Sequence, residues 1–293
     1  MSIGFRAALL LSSSLASWAA YPVHAQSTYS FVELRSSWLS TSELTNPLGQ
    51  PMALNASGVA VGSVRKVTGY QPDVFGLKWV PVYAVTATQW PAGSSSPTSL
   101  ASPAGTLSGT PWGAVARGVD DSGRVVGFRH FNNPQGSVAT QPVVWIKGVP
   151  ALLSSQSGVA QAVHAQGGVV GHRVRDASEL PVTEGIPFVS VRQAVFWQGG
   201  GHIDIHPPGV PVTVNSEAVA VNAAGDVAVV TTDPRGGLPS GCHLHRAGAS
   251  QRLPVPENAA CRVTDLNDLG VAVGEVRLAG AGEAVDRKST RLN

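Results

Sequence analysis

The chain is poor in charge, in sulfur and in helical periodicity, and each shortage closes off a class of protein. Only 13% of its 293 residues are Asp, Glu, Lys or Arg. No heptad and no long 3.6-residue pattern of apolar positions runs through it, so neither a coiled coil nor a long amphipathic helix is expected. No apolar stretch is long enough to cross a bilayer as a helix. The two cysteines, Cys242 and Cys261, stand in no Cys-x-x-Cys or comparable arrangement, which argues against a thiol nucleophile or a zinc site. Also missing are a Gly-x-Ser-x-Gly turn, a phosphate-binding loop, a dinucleotide fingerprint and a His-Glu-x-x-His helix. Motifs therefore assign no catalytic residue, no cofactor and no metal.

The charge balance needs a correction before it is read. The total is +2, but the last eight residues carry three basic groups and one acidic, and Arg6 adds another basic group. The chain between them is formally −1. No basic stripe with interleaved aromatics supports nucleic-acid binding. The last eight residues, 286–293, also break the style of everything before them. They can be encoded by GAT CGG AAG AGC ACA CGT CTG AAC, a run that resembles the adapter ligated to fragments in short-read DNA sequencing. The natural protein is accordingly expected to continue past about Val285, with 286–293 not native; an ordinary disordered tail is the alternative.

What the sequence does have is a repeat. Five segments align on a leading glycine: Gly58, Gly123, Gly167, Gly225 and Gly270. Three residues before each stands Asn55, Asp120, His164, Asn222 or Asn267, always behind an aliphatic residue. A Val- and Ala-rich run follows. It closes with Gly in four copies and with Val229 in the fourth. The pattern predicts a hairpin. Asn or Asp starts the turn, because its side chain bonds nearby backbone. Gly takes the positive φ, and the Val-rich run returns as a strand. The closing Gly predicts a bulge or a close backbone approach. Asp120 and Asp121 are adjacent carboxylates, but their place in a turn makes them structural rather than a glycosidase pair.

A second signature follows the first four hairpins: an apolar run, then Trp, two residues and Gly. It appears at Trp90, Trp145 and Trp197, with His245 in the Trp slot of the fourth copy. An apolar pair or triplet comes next, as at Leu152-Leu153 and Ile203-Asp204-Ile205. Each unit thus offers about four short strands. The leading glycines are 65, 44, 58 and 45 residues apart. Four-stranded propeller blades of roughly 40–50 residues fit that spacing, with insertions in the longer units. The fold class expected is all-β: a β-propeller of about five visible four-stranded units over residues 26–285, incomplete at its C-terminus. A β-sandwich with hairpins alike by chance is the alternative.

The repeat, apolar-Asn-x-x-Gly-x-Val-Val-Gly followed by apolar-apolar-Trp-x-x-Gly, resembles that of bacterial extracellular HAF-repeat proteins over roughly residues 29–280. The segment Phe31-Val32-Glu33-Leu34 is similar to the strand that precedes the first unit in that family. Asp120, His164, Val229 and His245 depart from the pattern. The resemblance implies a propeller-like repeat and transfers no catalytic or binding residue.

Residues 1–25 read as a secretory signal, with Arg6 basic, an apolar core from Ala7, and Val23-His24-Ala25 before the cleavage point. The mature protein is expected in a bacterial periplasm or outside the cell. The strand pattern Tyr29–Leu34 is expected to close the ring against the last blade. In an exported chain an even cysteine count invites a Cys242–Cys261 disulfide, contributing about 3 kcal/mol; two buried free thiols are the alternative. His202, Asp204 and His206 alternate, so on one strand they would share a face. That arrangement suits either part of a metal site or a wet outer strand, and the outer strand is favoured. Insertions at 63–84, 91–113 and about 172–191 are read as surface loops where specificity resides. The function expected is that of a secreted, non-catalytic binding or scaffold module, its unknown ligand on a loop face or in the central channel. A secreted propeller-type hydrolase or carbohydrate-active enzyme is the alternative, and a cell-surface passenger a third reading.

Overall fold

All five Asx-type turns close hairpins, and those hairpins set the architecture. The computed structural model describes residues 49–73, 75–104, 113–132, 138–176, 179–180, 190–234, 241–256, 259–278 and 290–292. Residues 1–25, where a signal is expected, residues 29–34, where a ring-closing strand is expected, and most of the last eight residues lie outside them. No α-helix occurs among the described residues.

The strands form five antiparallel meanders. The first sheet is β1 (Gly49–Leu54), β2 (Ala60–Pro72), β3 (Trp79–Trp90) and β4 (Thr98–Ser99). The second is β5 (Ala114–Val119), β6 (Val125–Asn132), β7 (Val138–Ile146) and β8 (Val149–Leu152). The third is β9 (Gly158–Val163), β10 (Val169–Val174), β11 (Arg192–Gln198) and β12 (Gly201–Asp204). The fourth is β13 (Asn215–Val221), β14 (Val227–Thr232), β15 (Gly241–Arg246) and β16 (Ala249–Arg252). The fifth has three described strands, β17 (Ala259–Leu266), β18 (Ala272–Leu278) and β19 (Thr290–Leu292). Four strands per sequence unit is therefore the arrangement in the first four sheets. In the fifth, residues 290–292 pair with β18 in the third-strand place.

Each sheet packs on the next. The first strands β1, β5, β9, β13 and β17 are successive neighbours, and each second strand lies against the first strand of the following sheet. The core is consequently a row of small clusters between sheets. Val61 of the first sheet packs with Ala114 and Ala116 of the second. Val126 packs with Ala160 and Val163, Val170 with Ala218, and Ala228 with Cys261 and Val263. Small residues on the first strand let the sheets approach, and a Val or Ala three residues after the leading Gly fills the gap. Trp90, Trp145 and Trp197 are buried, each paired across to Ala60, Val125 or Val169. His245 takes the same place opposite Val227, half-buried. Cys242 on β15 and Cys261 on β17 are joined by a disulfide, Cα–Cα 6.0 Å, which ties the fourth sheet to the fifth through their shared core.

Every first strand carries a bulge at one position, between Pro51 and Ala53, Ala116 and Gly118, Ala160 and Ala162, Ala218 and Ala220, and Val263 and Asp265. The closing residue of each repeat sits opposite it. A Cβ on Gly62, Gly127, Gly171 or Gly274 would lie 2.0 Å from a first-strand carbonyl oxygen. The close approach predicted for this glycine is thus the pinch beside the bulge. Val229 fills the slot in the fourth sheet, fully buried, so that sheet must open the approach locally.

Two sequence expectations need correction. Residues 63–84 are not a loop insertion. β2 and β3 simply run on, pairing from Ala60↔Trp90 out to Pro72↔Trp79. In the third sheet His172 and Arg173 belong to β10 and are buried, so its insertion starts after Val174.

Candidate functional site

The meanders divide the molecule into two faces. On one lie the Asx-type turns and the third-to-fourth-strand turns. On the other lie the ends of the second strands, the starts of the third strands and the described links between sheets.

The turn face is a repeated hydrogen-bond device. The N–H of Gly58 donates to Asn55 O at 3.0 Å, and the N–H of Asn55 to Val59 O at 3.1 Å. Asp120, His164, Asn222 and Asn267 make the same two bonds in their own turns. The side chain adds a cap: Asn55, Asp120, Asn222 and Asn267 each accept at Oδ1 from the N–H four residues on, at 2.8–2.9 Å. His164 Nδ1 instead accepts from Gln166 N at 3.1 Å. The leading glycines have φ of +84°, +79°, +90°, +82° and +73°, where a Cβ is unfavourable.

The turns also bond to one another. Asn55 Nδ2 donates to Asp120 O at 2.9 Å, and Asp121 Oδ1 accepts from Ala56 N at 2.8 Å. The same pair recurs 45 residues apart in the fourth and fifth units, as Asn222 Nδ2 to Asn267 O and Ala223 N to Asp268 Oδ1. Asp120 and His164 have no side-chain amide to give, and Ala165 and Ala223 no carboxylate to accept a backbone N–H, so this pair of bonds is absent between the second, third and fourth turns. There Arg124 Nη1 fills the space beside Gly167, with Asp120 Oδ2 at 3.8 Å. Burial, and after it the positive charge of Arg124, lowers the pKa of His164, while Asp120 opposes.

The loop face differs from sheet to sheet. In the third, Arg173 is buried. It donates to both oxygens of Glu179 at 2.7 and 2.6 Å, to Gln193 Oε1 at 2.7 Å and to Asp204 at 3.3 Å. The hydrogen bonds from Arg173 hold the Glu179 carboxyl down at about 2, and Glu179 raises the Arg173 guanidinium further. In the second sheet Arg129 holds the matching place, paired across to Gln141 as Arg173 is to Gln193. Its Nε and Nη2 donate to Gln141 Oε1 at 3.0 and 2.6 Å. Among the described residues no carboxylate answers it: there is no Asp or Glu between Asp121 and Asp176 in the sequence, and Nη1 is buried without a described partner. Burial lowers its pKa.

The fourth sheet offers a cleft of about 790 Å³, lined by residues 208–211 and 253–256 with Thr231, His243, Ser250 and Arg252. Burial, with Arg252 and His206 nearby, pushes His243 down to about 4, so it is neutral at pH 7.

Of the alternating His202, Asp204 and His206, the first two meet, with His202 Nε2 3.7 Å from Asp204 Oδ1, while His206 does not join them. β12 ends at Asp204, which turns to Arg173. His206 clasps the link to the fourth sheet, with Nδ1 2.8 Å from Ser216 Oγ and Nε2 3.0 Å from Val210 O. Among the described residues no group of three His, Cys, Asp or Glu side chains is placed to hold a metal. The Arg–Gln pairs escaped sequence reading because Arg129 and Gln141 are 12 residues apart while Arg173 and Gln193 are 20 apart. The one available signal was Arg at the sixth position after the leading glycine in both units.

No protein-family model matches this chain, and no curated protein matches it.

Proposed function

We propose that this chain is an exported, non-catalytic binding or scaffold module of the kind its resemblance to bacterial extracellular HAF-repeat proteins implies. Its sheets are read as successive blades of a β-propeller, with the first strands toward the axis. The adjacency of those first strands and the common sense of the turns support that reading. So does Val273, which is 39% exposed where Val61, Val126, Val170 and Ala228 are fully buried under the next sheet. This face fits a further sheet of the same design.

One observation carries the functional reading: the two backbone bonds of the turn recur in every unit, whereas toward the other face the unpaired Arg129, the Arg173–Glu179 pair and the cleft beside Arg252 and His243 set the second, third and fourth sheets apart. A surface that varies on a constant frame is where a ligand is selected. The fourth-sheet cleft, with Arg252 and neutral His243, is the site put forward.

The test is a panel of soluble bacterial polysaccharides and peptides offered to wild type and to Arg252→Ala. Retention by wild type, loss in the variant and no product release support a binding module. Turnover of a panel member that is abolished by His243→Ala would replace it with a hydrolase.

A further inference from the structure

We propose that the extended first-sheet hairpin is a lipid-surface anchor whose tip enters the interfacial region of a bilayer. β2 has 13 residues against eight in β6, so the hairpin stands about 17 Å beyond the neighbouring sheet edge at 3.3–3.4 Å per residue. Its far end is apolar and exposed: Phe75 79%, Leu77 81%, Trp79 72% and Tyr70 59%. Such a concentration on one protrusion marks an interaction site.

Three features favour a membrane over a protein groove. The first is order along the hairpin. Phe75 and Leu77 occupy the turn. Trp79 stands at the first strand pair, opposite Pro72, and Tyr70 two residues further back on the same face. Exposed Arg65 comes later on the stem. That sequence of depths suits a bilayer, with apolar side chains innermost and Trp and Tyr at headgroup level.

The second feature is the backbone. Asp73 N donates to Lys78 O at 2.7 Å and Gly76 N to Asp73 O at 2.9 Å. Asp73 Oδ1 accepts from Phe75 N at 3.2 Å and Leu77 N at 2.8 Å. The N–H groups of Asp73, Phe75, Gly76 and Leu77 are therefore satisfied within the turn, and they enter a poor hydrogen-bonding medium without the cost of an open donor. The third is shape. A convex tip needs no complementary groove in a fluid surface. Asp73 and Lys78 balance in charge, so binding is apolar and does not depend on anionic lipid.

Sedimentation with phosphatidylcholine vesicles tests this. The chain should pellet with the vesicles and remain there in roughly 1 M salt, where the Debye length is about 3 Å. Phe75→Ser and Leu77→Ser should each weaken partitioning by about tenfold, with an unchanged melting temperature because neither side chain is packed. Bromine-labelled lipid should quench part of the Trp fluorescence in wild type, and that part should be missing in Trp79→Phe. Wild type left in the supernatant overturns the proposal. So does equal pelleting of the doubly substituted chain, or self-association that the two Ser substitutions remove without any vesicle binding.

Discussion

The side-chain amide of Asn222 donates to the backbone carbonyl of Asn267, 45 positions later, at 3.2 Å. The same side chain caps its own turn through Oδ1, on Asp226 N at 2.8 Å. One residue thus shapes a hairpin with its oxygen and joins two sheets with its nitrogen. Asn222→Asp separates the roles, because the carboxylate keeps the cap and loses the donor. It also sets a second negative charge beside Asp226, whose oxygen Asn222 Nδ2 now approaches at 3.1 Å. Urea unfolding should show a loss of about 1–3 kcal/mol. A variant as stable as wild type would mean that the amide contributes nothing to sheet association.

The two glycine classes should differ in cost. Gly123 has φ +79°, and nothing lies within 4 Å of the place a Cβ would take, so Gly123→Ala or Gly123→Val should cost about 1–2 kcal/mol through the backbone alone. Gly127→Ala meets Val115 O at 2.0 Å and must move a strand. Thermal melts should rank Gly127→Ala well below Gly123→Ala, and the reverse order would refute the pinch.

Acid should destabilise the molecule from near pH 6.5 downward. Burial, reinforced by Arg192 and Arg117, depresses His172 to about 3, and His243 lies at about 4. Below 6.5 the unfolded chain binds protons that the folded one refuses, so stability falls as pH drops toward those values. Glu179, held at about 2, adds a loss below its ordinary 4.5 as pH falls through 2. Unfolding free energy measured at intervals from pH 7.5 to 3 should therefore slope upward with pH. His172→Gln should flatten the part between about 6.5 and 3, and Glu179→Gln the part below about 4.5.

Leu152 pairs with Val143 as Asp204 pairs with Val195, so it holds in the second sheet the place Asp204 holds beside Arg173. Leu152→Asp should give Arg129 the carboxylate it lacks. We expect a stability gain of about 1 kcal/mol, abolished when Arg129→Met is added. Differential scanning calorimetry of the two single variants and the double variant measures that coupling, and additive effects would show that no pair forms.

Much of the frame was legible because it rests on local chemistry. Asn55-Ala56-Ser57-Gly58 specifies a turn through its own side chain and one positive φ, and Trp90, Trp145 and Trp197 mark the third strand. The closing glycine signals a close approach, because only a residue without Cβ leaves room for one. The long hairpin reads as a loop in the sequence because the first unit spans 65 residues against 44 in the second, and length alone does not tell a loop from two longer strands. Register decides, and it shows only when Tyr70 is seen opposite Pro81.

By itself the amino-acid sequence determined where the chain reverses, because a capped Asx turn is complete within five residues. It also determined the all-β class and the strand order within a unit, which follow from short connections. Only the tertiary structure decided what the turns do between units. The Asn222 amide and the Asp268 carboxylate find partners only when two sheets stack, and among the described residues Arg129 lacks a carboxylate where Arg173 has two. Those relationships depend on register and stacking across 12 to 45 residues, which no local propensity encodes.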